Sequence, residues 1–74
     1  MYKVTWIDSN VYSGWHEVGS EEYKTLVITT VGFIIEDTGS HLAIAQSSSE
    51  HGHISEVMVV PTRCVIKKEP LNAG

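Results

Sequence analysis

Seventy-four residues with a single cysteine, Cys64, make one small domain that no internal disulfide can staple. The formal net charge of -4 argues against sequence-independent nucleic-acid binding, which rests on Lys and Arg neutralising phosphates. No apolar run approaches the ~20 residues needed to cross a bilayer as a helix. A chain this short buries only about 60% of its unfolded surface, which leaves a metal or self-association as the usual supplement to its core. The start, "MYKVTWID", lacks the apolar stretch of a signal peptide, and a lone thiol suits a reducing compartment, so a cytoplasmic setting is expected. Charge is uneven. Glu17, Glu21, Glu22, Glu36 and Asp37 fall in the first half, whereas Arg63, Lys67 and Lys68 cluster near the end.

"YKVTWI", residues 2–7, alternates. Tyr2, Val4 and Trp6 share one face, which predicts a strand with its aromatic side inward. "DSN" at 8–10 ends it, because these side chains bond local backbone in place of a ladder. Residues 11–19, "VYSGWHEVG", have no period and read as a loop or irregular strand. Ser20 is a candidate helix N-cap, with Glu21 and Glu22 suited to a first turn. At most one short N-terminal helix fits before the β-branched run begins.

"TLVITTVGFIIED", residues 25–37, is the strongest strand signal, and Gly32 inside it predicts a bend or bulge. "DTGS", 37–40, predicts a hairpin turn with Gly39 free to take positive φ. "HLAIAQS", 41–47, returns as a strand. "SSSEHGH", 47–53, is a polar loop, and "ISEVMVV", 54–60, is a further strand. Pro61 ends it, since proline cannot donate to the ladder. "CVIKK", 64–68, is the last strand. The domain is expected to span 1–69, with 70–74 a fraying tail. Five short strands with frequent turn signals make an all-β barrel or sandwich.

"VVPTRCV", 59–65, resembles the last turn of SH3-like barrels, where one 3₁₀ turn joins the fourth and fifth strands. The Sm-like barrels are similar, usually with Arg-Gly in the turn, where this chain has Arg63-Cys64. More broadly, "VTWIDS", "SGW", "EEYK", "VGFIIED", "LAIAQS" and "VVPTRCVIK" resemble a group of small bacteriophage-encoded proteins. That resemblance implies a five-stranded SH3-like (Sm-like) barrel made in an infected bacterial cell. It implies no activity.

Little in the sequence carries catalysis. Ser and Cys nucleophiles need an adjacent base on a suitable turn, and no such elbow surrounds "SSSEHGH" or Cys64. Phosphate loops of the Gly-rich Lys-Ser/Thr type are absent. His51 and His53 would point the same way on a strand, but a zinc site needs three or four fixed ligands, and neither His16 nor His41 is tied to them by spacing. The expectation is a non-enzyme with no cofactor and no metal.

Binding is the better reading. A nucleotide-like ligand asks for an aromatic ring, a cation and hydroxyls. Tyr12, Trp15, His16 and Arg63 supply the first two kinds of group, and Ser47, Ser48 and Ser49 the third. One protomer is too small to wrap a ligand and keep its core, so pockets between subunits of a homo-oligomer are expected. Such a protein would sequester a small nucleotide-derived host defence signal. The rival expectation is a module that binds a host protein, or less readily nucleic acid, as an inhibitor or accessory factor. Trp15 would be its anchor. A virion structural role is a third. Trp6 reads as core, while Trp15 is open between barrel cover, interface and ligand platform.

Overall fold

The apolar run after residue 25 governs the architecture. In a computed structural model, which describes residues 1–10 and 12–72, it forms one long strand that pairs on both sides. Val11 of the expected loop and Ala73 and Gly74 of the expected tail lie outside the described residues. The strands are β1 (Tyr2–Asp8), β2 (Leu26–Asp37), β3 (His41–Ser48), β4 (Ile54–Pro61) and β5 (Val65–Pro70), with a 3₁₀ turn at Thr62–Cys64. They form one antiparallel sheet in the order β4-β3-β2-β1-β5.

β2 works as two half-strands. Leu26 to Gly32 pair with β1, and Phe33 to Asp37 pair with β3. Gly32 marks the changeover, because a Cβ there would meet the Ala45 carbonyl oxygen at 2.4 Å. Register shifts at Thr5/Trp6 and at Ile34/Glu36 add further bend.

The expected barrel does not form. β4 and β5 are the two outer strands and do not pair, so the sheet is open and the SH3-like or Sm-like assignment is overturned. The 3₁₀ turn between them is present, yet one glycine and two register shifts bend the sheet without bringing its edges to the ~4.8 Å of a ladder. The Cα radius of gyration is 15.9 Å, against about 11 Å for a compact domain of this length, and the long axis is 52 Å.

Two local expectations are also corrected. No helix forms after Ser20. Its amide and hydroxyl both donate to the Glu17 carbonyl and close a turn, because one or two isolated helical turns cannot outweigh their nucleation cost. Gly39 does not take positive φ. The β2–β3 turn is instead closed by Thr38 Oγ1, which accepts the Ser40 and His41 amides, while the Thr38 amide donates to the His41 carbonyl.

The core is small. Val4, Trp6, Leu42, Ile44 and Val60 are buried, with Ile28, Ile34, Met58, Cys64 and Val65 packed against them. Trp6 is core, as its strand face predicts. Its indole N–H donates to Thr30 Oγ1 at 3.1 Å, which satisfies the one buried polar side chain among the described residues. Lys68 on β5 reaches the Asp37 carboxylate at the end of β2 and braces the bend from outside. β5 runs to Pro70, two residues past the expected strand end, and the Leu71 amide donates to the Met1 carbonyl. No helix among the described residues is long and apolar enough to cross a membrane.

Candidate functional site

Antiparallel pairing of β3 with β4 sets Ser47 opposite Ser55 and Ser48 opposite Ile54. The five-residue loop between the strands is closed by Ser49. Its amide donates to the His53 carbonyl at 2.8 Å, and its Oγ accepts the His51 and His53 amides. Gly52 takes φ +81° to complete the turn.

An open cavity of about 200 Å³ forms at this hairpin tip, lined by Ser47, Ser48, Ser49, His53, Ile54 and Ser55. Within the described residues no hydrogen bond engages the hydroxyls of Ser47, Ser48 or Ser55. They can donate to or accept from a bound oxygen-rich group. His53 adds an imidazole and Ile54 an apolar wall. Ser47, Ser48 and Ser49, the serines expected to offer hydroxyls, all line this cavity. His53, Ile54 and Ser55 were missed, although folding "SSSEHGHIS" on itself as a hairpin sets Ser55 across from Ser47.

The other expected ligand residues lie elsewhere. Tyr12, Trp15 and His16 belong to the β1–β2 loop. Tyr12 packs edge-on against Tyr23, with ring centres 5.2 Å apart, and its hydroxyl accepts the Lys24 amide. His16 is held by the loop itself. One ring nitrogen meets the Ser13 carbonyl at 2.9 Å and the other the Glu21 carboxylate at 2.9 Å. Trp15 packs on no described residue and is wholly exposed, as is Val18. Arg63 sits in the 3₁₀ turn after the His41–Pro61 pair. Six residue steps along β3 separate that pair from Ser47, about 20 Å of strand. One chain thus gathers the serines with His53 but leaves Arg63 remote.

A second array lies at the β2–β3 turn. His41 Nε2 meets Glu36 Oε2 at 2.6 Å, and its Nδ1 lies 3.3 Å from Ser40 Oγ and 3.4 Å from Thr38 Oγ1. Carboxylate, imidazole and hydroxyl occur here in the order of a hydrolase triad. The serine-lined cavity, however, is at the opposite end of β3, and Thr38 Oγ1 is occupied by the turn amides. The array reads as a turn clasp. Among the described residues no three His, Cys, Asp or Glu side chains come together as a metal site. No known protein family, curated protein or solved structure matches this chain, so the resemblance to small phage-encoded barrels, already without its barrel, gains no support and nothing points to a phage origin.

Proposed function

We propose that the chain is a non-catalytic, cytoplasmic binding protein that self-associates and holds a small nucleotide-like ligand at sites completed between copies. The cavity at the β3–β4 tip carries this reading. At about 200 Å³ it falls below the ~300–1,000 Å³ of ordinary small-molecule sites, so it accommodates a phosphate or ribose but not a whole nucleotide. Hydroxyls and an imidazole suit phosphate and sugar oxygens. The base would need an aromatic wall. Tyr12, Trp15 and Tyr23 are the exposed rings of the β1–β2 loop, and Arg63 is a cation about 20 Å along the strand from the serines. A second protomer is the economical source of both.

The test is a thermal-shift and calorimetric titration with linear and cyclic adenine nucleotides. At 100 times Kd, linkage gives about 2.7 kcal/mol of added stability, and so a Tm rise of ten degrees or more. Ser48→Ala should weaken binding several-fold, since it removes one hydrogen bond. No heat and no shift with any nucleotide would discard this ligand class. The exposure of Trp15 and Val18 favours a second reading, a protein partner anchored on that loop. Pull-down with wild type and Trp15→Ala separates the two. Equal recovery of a partner by both forms clears Trp15 of the role.

A further inference from the structure

We propose that Glu56 guards an open edge of the sheet: its backbone bend keeps β4 from adding a further strand, a second copy's β4 included. The inference stands apart from the ligand reading and excludes one route of self-association. Because β4 and β5 do not pair, each leaves a row of backbone donors and acceptors open to another chain. β5 is guarded by composition. "VIKKEP" carries Lys67, Lys68 and Glu69 and ends on Pro70, which cannot donate. β4 is not. In "ISEVMVV", Ile54, Val57, Met58, Val59 and Val60 are apolar, and Glu56 is the one charge. A run of this length with high β-propensity, low charge and no proline is the signature of a segment that stacks into cross-β.

The conformation at Glu56 answers that hazard. Its φ is 56°, and among the described residues no other non-glycine residue has positive φ. The other positive values fall on Gly14, Gly19 and Gly52, all in loops. Glu56 instead lies inside a strand. Ser55 pairs with Ser47 and Val57 with Ala45, while the step between them, Glu56 beside Gln46, is missing from the ladder. Pairing resumes without a change of register, so no inserted residue forces the bend. Nothing local repays it either. Glu56 is exposed, and among the described residues its carboxylate makes no hydrogen bond or ion pair. Strain kept without a compensating contact points to a use. An added strand needs regularly placed donors and acceptors, and a left-handed residue in mid-strand breaks that order. The carboxylate stands at the break as a charge that edge pairing would have to desolvate.

Incubation with agitation, followed by pelleting, thioflavin fluorescence and fibre diffraction, tests this. Glu56→Val removes the charge and puts a branched residue where positive φ is an outlier, so β4 straightens. It should be lost from the supernatant as fibres with the ~4.7–4.8 Å cross-β repeat, while wild type stays in solution. Glu56→Gly loses the same charge but suits the bend. It should stay in solution, with a urea midpoint no lower than that of wild type. Glu17→Val makes the same charge change in the exposed β1–β2 loop and should also stay in solution. A Glu56→Val that stays in solution like wild type would overturn the guard, and so would a wild type that forms the fibres itself. Equal pelleting of Glu56→Gly and Glu56→Val would assign the protection to charge and overturn the role of the bend. Equal pelleting of Glu17→Val would trace the loss to net charge and overturn it too. If Glu56→Val lacks a strand spectrum before incubation, the readout moves to Glu56→Thr, which should leave solution faster than wild type. Equal rates count against the proposal.

Discussion

Gly32→Ala is expected to remove roughly a quarter or more of the stability of this chain, read as the midpoint of urea unfolding followed by far-UV circular dichroism. The added methyl carbon would sit 2.4 Å from the Ala45 carbonyl oxygen, 3.1 Å from its carbon and 3.0 Å from Ile44 Cγ1. Two of the three obstacles are backbone. Ala45 is held between Phe33 on one side and Val57 on the other, so its carbonyl can retreat only if the ladder on one side opens. Overpacking usually costs about 1–3 kcal/mol, and this case belongs at the top of that range or above it, because no rotamer change relieves it. A 74-residue chain at ~0.05–0.15 kcal/mol per residue has only about 4–11 kcal/mol in total. Gly39→Ala is the control. Nothing lies within 4 Å of its added carbon and its φ is not positive, so the change should stay within about 0.5 kcal/mol. Equal midpoints for the two variants would mean that Gly32 is not the bend's close-contact point.

The same glycine shows how far the sequence could be read. Alternation in "YKVTWI" and the long run after residue 25 expose the strands, because side-chain period follows directly from backbone geometry. Pro61 and the polar residues after it give the 3₁₀ turn for a similar reason. Closure was not legible. It depends on summed twist and bend over five strands, and Gly32 states only that a bend exists, not its angle. The helix expected at Ser20 failed because capping chemistry predicts where a helix would start, not whether enough of it exists to survive. Within the site, Ser47 and Ser48 were legible as hydroxyls in a polar loop. Ser55 was not, because it reaches the cavity through cross-strand register, which spacing along one strand does not reveal, and His53 is brought there by the loop bond from the Ser49 amide.

The two tryptophans should separate cleanly in stability measurements. Trp6→Ala is expected to cost about 3–5 kcal/mol, the range for deleting a buried large aromatic. Trp6 is 9% exposed and packs with Val4, Leu42, Ile44 and Val60. The loss is compounded at Thr30, whose buried hydroxyl accepts the indole N–H and whose own nearest acceptor is Met58 Sδ at 4.0 Å, a weak contact. Thr30→Val keeps the ring and the volume but strands that N–H, and should cost about 1–3 kcal/mol. The two residues share one bond, so the double variant should fall short of the sum of the singles. Trp15→Ala, by contrast, removes a wholly exposed ring that packs on no described residue, and the folded protomer should lose no more than about 0.5 kcal/mol. Protomer concentration must be held fixed, because any contact that Trp15 makes with a second copy or a partner enters as a concentration-dependent term. A Trp15→Ala variant as unstable as Trp6→Ala at every concentration would place that ring in the core and remove the basis for treating the β1–β2 loop as a binding element.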